Sequence, residues 1–256
     1  TTWLHENLSQ HPGAWMPPVK ELQYFNQIHI PGHKGWTQWH RDKHASNRLT
    51  SYIGKRDDLN LHYVRTLAHI TDPAIDDAWY REVFSYAGEN QICGDMTPEY
   101  SLLPEAGIKH MLTLAPRAKY LFIMRDPIDR AWSHVRMNYR RGVSPGTELL
   151  DLAKLGDIRA RSDYMTILQR WRALLAPGQL FVGVFDDISR RPTAFLREVM
   201  AFLGLSYDAE LFKSADKVVH AGAALDMPDD VYDLMREQYA PVYDALDTEA
   251  PDIAQE

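Results

Sequence analysis

K-Y-L-F-I-M-R-D-P-I-D-R-A-W-S-H-V-R-M-N-Y-R-R-G, residues Lys119 to Gly142, encodes a strand, a sharp turn and a helix. Tyr120 to Met124 is an unbroken apolar run, the pattern of a strand covered on both faces of a parallel sheet. Asp126 stands at a helix N-cap and Pro127 at the first helical position, where its fixed φ and missing N–H do no harm. Arg125 therefore falls at the carboxyl end of the strand. Ser133 follows two turns into the helix, which also carries Arg130, Arg136, Arg140 and Arg141. Open α/β sheets bind ligands beyond the carboxyl ends of their strands. A guanidinium there offers a planar fork of donors that matches a phosphate. A purely structural role remains open on these residues alone, since Asp-Pro begins many helices and arginine decorates many exposed faces.

Working outward, Leu180 to Phe185 reads as a second buried strand and Gln91 to Gly94 as a short one. Helices are expected over Trp3–Gln10, Asp57–Ile70, from Thr71-Asp72-Pro73 onward, and over Pro104–Ala115. Further helices are expected over Ile158–Ala176, closed by Pro177-Gly178, over Thr193–Leu203, ended by Gly204, and over Asp229–Asp247. Val143 to Asp157 reads as a loop, marked by Ser144-Pro145-Gly146, with a short helix. Residues 26–90 are polar and weakly periodic, hold six of the eleven histidines, and read as helical insertions that wall a pocket. Helices between buried strands imply right-handed crossovers, hence an α/β domain with a central parallel sheet flanked by helices.

The bulk numbers fit one such domain of 256 residues, 45% hydrophobic and 25% charged. A formal net charge of −7 points away from nucleic acid and anionic membranes, so an anionic ligand needs local positive charge. One cysteine, Cys93, rules out an intrachain disulfide and reads as a buried core thiol. No apolar run approaches a membrane span and no signal peptide is visible, which gives a cytoplasmic expectation. His40 with His44, and His29 with His33, stand at i,i+4, but no H-E-x-x-H or cysteine pair accompanies them, so no metal site is expected.

The pattern R-D-P-x-x-R-x-x-S at Arg125 to Ser133 resembles the 3′-phosphate-binding segment of sulfotransferases that use 3′-phosphoadenosine 5′-phosphosulfate (PAPS). Other segments match in order along nearly the whole chain. Thr1 to Phe25 is similar to that family's phosphosulfate loop, first helix and K-E-x-x-[YF]-F segment. Gly94 to Tyr100, G-D-M-T-P-E-Y, is similar to its G-E-x-[ST]-P-x-Y turn. Tyr164, Leu168 and Trp171 match a Y-x-x-x-L-x-x-W helix, and Leu180 to Asp187 and Phe195 to Leu205 match its later strand and F-L-G-L helix. Lys20-Glu21 resembles the bacterial and heparan-sulfate-type branch.

The resemblance implies a P-loop-like sulfotransferase fold and a PAPS donor, with no metal required. It implies that Arg125 and Ser133 hold the 3′-phosphate, that Thr1 and Thr2 hold the phosphosulfate, and that Tyr164 lies near the adenine. Trp3 is placed to stack on the purine or simply to pack. It further implies a strand and a K-x-G loop upstream of Thr1, and a loop closing over the nucleotide around Lys217 to Gly222. Glu21 is the candidate base and Lys20 steadies charge beside it; a solvated Lys-Glu surface pair is the bland alternative. His29 or His33 remains open as the base. Gln23 and Met96 stand where some heparan-type relatives carry His and Lys, which argues against a simple heparan-like acceptor. The acceptor is then a hydroxyl or amine of a small molecule, carbohydrate or lipid, and the oligomeric state stays open. A P-loop nucleotide kinase and an inactive nucleotide-binding module are the alternative readings; R-D-P-x-x-R-x-x-S speaks against the first.

Overall fold

A computed structural model of the chain describes residues 1–142, 147–213, 215 and 225–249. The first elements are α1 (Thr2–Leu8), β1 (Ala14–Trp15), α2 (Tyr24–His29), α3 (Lys34–Ile53), α4 (Leu61–Ile70), α5 (Asp77–Phe84) and β2 (Ile92–Cys93). A 3-10 turn (Pro98–Leu102) and α6 (Glu105–Leu114) follow. Next come β3 (Tyr120–Met124), α7 (Pro127–Arg141), α8 (Leu149–Ala153), α9 (Gly156–Ala160), α10 (Tyr164–Arg172) and β4 (Leu180–Val184). The last are α11 (Phe185–Arg190), α12 (Pro192–Leu203) and α13 (Asp229–Glu249). The chain divides into two compact units, Thr1–Ala118 with Met200–Val219, and Lys119–Val199 with His220–Glu256.

In the second unit β3 and β4 pair in parallel, from Tyr120 opposite Leu180 to Met124 opposite Val184. Gly183 lets the sheet meet α12 closely, because a Cβ there would lie 2.6 Å from Phe195 Cε2. Asp126 caps α7 as its sequence requires, accepting from Asp129 N at 2.8 Å, and Pro127 occupies the first turn. Gly142 ends α7 at φ 62°, in the left-handed region that favours glycine. The buried face of α7, Ile128, Ala131, Trp132 and Val135, packs with Leu152 and Ile158 and with Val231, Met235 and Tyr239 of α13.

In the first unit β1 and β2 pair in parallel, Ala14 opposite Ile92 and Trp15 opposite Cys93. Tyr24 and Phe25 of α2 are fully enclosed and pack against Tyr80, Tyr100 and His110. The 20-residue α3 buries Thr37, Arg41 and Ala45, a stripe at i, i+4, i+8 with almost no apolar signal.

The α/β class with parallel strands is as the sequence predicts, and several details differ. Among the described residues the strands form two two-stranded sheets, one in each unit, in place of one continuous central sheet. With so few neighbours, only Met124 of β3 is fully buried. Cys93 is exposed, not a core thiol, since β2 is two residues long and pairs with β1 alone among the described residues. The helix expected over Ile158–Ala176 is split into α9 and α10, because Asp163 caps a new helix by accepting from Thr166 N at 3.3 Å. The helix expected from Thr71 begins at Asp77, where Asp76 supplies the cap. The loop at Ser144-Pro145-Gly146 and the segment Lys217 to Gly222 lie outside the described residues. No described helix is long and apolar enough to cross a membrane.

Candidate functional site

In the second unit, Arg125 follows the last residue of β3. Its backbone is clamped by one phenol: Arg125 N donates to the Tyr164 oxygen at 3.4 Å, and the Tyr164 O–H donates to Arg125 O at 2.7 Å. Tyr164 is itself buried, and that burial pushes its pKa up to about 12, so it stays a donor at neutral pH. The Arg125 guanidinium lies 4.9 Å from the Phe185 ring centroid and 3.3 Å from Asp129 Oδ2, with about a third of the side chain exposed. Ser133 is four residues after Asp129 on α7 and so shares a face with the residue that Arg125 touches. A partly exposed arginine and, by helical spacing, a serine thus belong to one side of α7, whose N-terminal dipole also favours an anion. Arg130 is not part of that face: its Nε donates to Ser162 Oγ at 2.6 Å, and a terminal nitrogen bonds the Ile158 carbonyl.

In the first unit, Lys20 draws three of the expected residues together. Its Nζ donates to Thr1 Oγ1 at 3.1 Å and Thr2 Oγ1 at 3.0 Å, and lies 3.3 Å from Glu21 Oε1. The threonine hydroxyls face this ammonium; Thr1 makes no side-chain cap to α1. Trp3 is enclosed, and its indole N–H donates to Ala215 O at 2.7 Å. Trp3 thus packs in the core of the first unit.

Glu21 and Gln23 both have positive φ, 66° and 58°, a strained conformation for residues other than glycine. The surroundings hold this strain. Tyr24 N donates to the Tyr100 oxygen at 3.1 Å, and Arg41, with no exposed surface, donates to Leu22 O at 3.2 Å. Asp95 accepts from Tyr100 at 2.7 Å, Thr97 at 2.8 Å and Tyr80 at 3.3 Å, and from the Leu22 backbone. Burial raises the Asp95 pKa, and the hydrogen bonds from Tyr100 and Thr97 work against that rise. Asp95→Ala leaves buried hydroxyls without their acceptor, so we expect a loss of about 3 kcal/mol in stability, read as a lower denaturation midpoint. A midpoint equal to that of the wild type would show that the network is not the anchor.

The Glu21 carboxyl is raised above the usual carboxylate range, chiefly by burial and then by Glu99, while Lys20 pulls it down. Gln23 Nε2 donates to Glu21 Oε2 at 3.2 Å and to Glu99 Oε2 at 3.3 Å, bridging the two carboxylates. His40 Nε2 lies 3.8 Å from Glu21 Oε2, and the His40 and His44 rings are 4.4 Å apart. The sequence flagged His40 only through its spacing from His44; nothing in a linear pattern says that α3 returns to Glu21. His29 bonds His110 at 2.9 Å, and His33 bonds Asn26 at 3.1 Å. Among the described residues no group of histidine, cysteine or carboxylate side chains could hold a metal ion.

The Thr1, Thr2, Lys20, Glu21 group therefore forms in one unit, and the Arg125, Ser133, Tyr164 group in the other. A family model described as "Sulfotransferase family" matches residues 1–209. Among solved structures, a sulfotransferase from Alicyclobacillus acidocaldarius is similar at 21% identity and TM-score 0.65, covering 96% of this chain and 89% of its own. A sulfotransferase domain from the curacin biosynthetic pathway is similar at 14% identity and TM-score 0.56, covering 93% of each chain. No curated protein sequence matches.

Proposed function

The chain belongs to the sulfotransferase family, and from that premise we propose that it moves a sulfuryl group from PAPS to a hydroxyl or amine of a small-molecule, carbohydrate or lipid acceptor. The observation that carries the donor assignment is Arg125, fixed through its backbone at the end of β3, with its guanidinium on the face of α7 that Ser133 shares. In this reading Arg125 and Ser133 hold the 3′-phosphate. Tyr164, beside the adenine in this reading, also fixes the arginine through its backbone. Thr1, Thr2 and Lys20 hold the sulfuryl end, since two hydroxyls and an ammonium are already arranged together there.

Sulfuryl transfer needs acceptor, sulfur and leaving phosphate in line, and a base for the acceptor proton. Glu21 is the base. Partial burial makes it more basic than a solvated carboxylate, and Lys20 keeps its charged form accessible. Lys20 and the hydroxyls offset charge that grows on the leaving oxygen, a task that fixed donors perform without a metal. The test is transfer of labelled sulfur from PAPS into a broad acceptor pool, with and without a chelator. Label in product, insensitive to chelator, is the expected result. Chelator-abolished transfer would contradict the metal-free reading, and no label in any acceptor would remove the transferase assignment.

A further inference from the structure

Three consecutive residues of the R-D-P turn are each held by a hydroxyl from elsewhere in the second unit. Tyr164 donates to the Arg125 carbonyl at 2.7 Å, and Ser162 Oγ to the Pro127 carbonyl at 3.2 Å. Between them, the Tyr243 O–H donates to Asp126 Oδ2 at 2.6 Å. Ser162 and Tyr164 lie at the start of α10, inside the region that the family model matches. Tyr243 lies on α13, beyond the matched residues 1–209.

The Asp126 carboxylate is thereby divided between two tasks. Oδ1 caps α7 by accepting from Asp129 N at 2.8 Å, while Oδ2 accepts the hydrogen bond from the Tyr243 O–H. Burial, with Asp126 as its partner, raises the Tyr243 pKa, so the phenol remains a donor at neutral pH. The helix that brings it is well seated. Val231, Met235 and Tyr239 of α13 share a core with Ile128, Ala131 and Trp132 of α7, and Leu246 with Val242 packs against Met124 and Tyr164. Thus α13 packs against both the last residue of β3 and the helix that follows, on either side of Arg125.

We propose that Tyr243 is a positioning residue of the 3′-phosphate site. Its bond holds the exposed Asp126 carboxylate on the α13 side, and so keeps that negative charge from turning toward the neighbouring Arg125 guanidinium. A phosphate then meets an arginine whose adjacent carboxylate is occupied. This rests on the PAPS reading above and extends it to a helix outside the family match.

The experiment is calorimetric titration of PAP (3′-phosphoadenosine 5′-phosphate) and of AMP into wild type, Tyr243→Phe, Asp126→Asn and the double variant, with thermal unfolding of each. In Tyr243→Phe we expect PAP affinity to fall about tenfold, because the released Asp126 carboxylate competes with the phosphate for Arg125. AMP affinity should hold, so the PAP-to-AMP ratio drops. The double variant should bind PAP no worse than Tyr243→Phe, because both changes act on one contact. An unchanged ratio in Tyr243→Phe overturns the proposal. So does an equal loss for both nucleotides accompanied by a lower Tm, which marks a merely structural role. A wild type without PAP preference is a different failure: it removes the donor assignment itself.

Discussion

Arg125→Ala weakens PAP binding by about 2 kcal/mol or more, the loss of a charge-assisted phosphate contact, while AMP binding changes little. The expectation is large for three reasons. The guanidinium is partly shielded by Phe185, so its field is less screened than that of a surface arginine. Its removal leaves Asp129, now 3.3 Å from that guanidinium, as an uncompensated negative charge beside the incoming phosphate. Its position is also preset by Tyr164, so little ordering has to occur on binding. Arg125→Lys recovers the charge but not the planar fork, and should regain only part of the loss. Parallel titrations of PAP and AMP measure this. Arg125→Ala with wild-type PAP affinity would move the 3′-phosphate to another part of the chain.

Glu21→Gln lowers turnover by roughly 10²- to 10⁴-fold, the usual span for losing a general base, and spares PAP affinity. The amide keeps the shape but accepts at only one of the two positions that now face Lys20 and Gln23, so unchanged PAP affinity is the control that assigns the deficit to proton transfer. Wild-type activity should also fall as the pH drops through the raised Glu21 pKa, since only the carboxylate accepts a proton. For stability the direction is opposite. A carboxyl raised by burial contributes stability below its unfolded pKa, and that contribution is lost as pH rises through the folded value. At neutral pH Glu21→Gln should therefore lose little Tm, since the burial cost of the carboxylate that it removes offsets the contacts to Lys20 and Gln23 that it weakens. Single-turnover assays with PAPS separate this step from binding. Full activity in Glu21→Gln would pass the role to a histidine, and the structure brings His40, with His44 beside it, to 3.8 Å from the Glu21 carboxylate.

The segment around Arg125 was legible because each of its parts obeys a local rule. An apolar run makes β3, Asp-Pro starts α7, and the two rules together fix where the arginine falls. The elements that surround Glu21 were harder to read because their stability is not local. α3 buries threonine, arginine and alanine at helical spacing, so no apolar stripe announces it. The left-handed Glu21 and Gln23 are held by Arg41, Asp95 and Tyr100 from distant parts of the chain. The bond from Trp3 to Ala215 joins residues 212 positions apart, which no local pattern announces. Cys93 looked buried because apolar neighbours imply a core; a two-residue strand leaves it exposed. Tyr243 gave no signal at all, as its partner Asp126 is 117 positions away in the chain.

The most direct measurement is calorimetric titration of PAP and AMP into the wild-type protein at one fixed ionic strength. Arg125 and Ser133 as a 3′-phosphate site predict PAP binding at least about 30-fold tighter than AMP, the equivalent of the 2 kcal/mol expected from the phosphate contact. Equal affinity for the two nucleotides would contradict the donor assignment and leave a sulfotransferase fold whose anion site lies elsewhere.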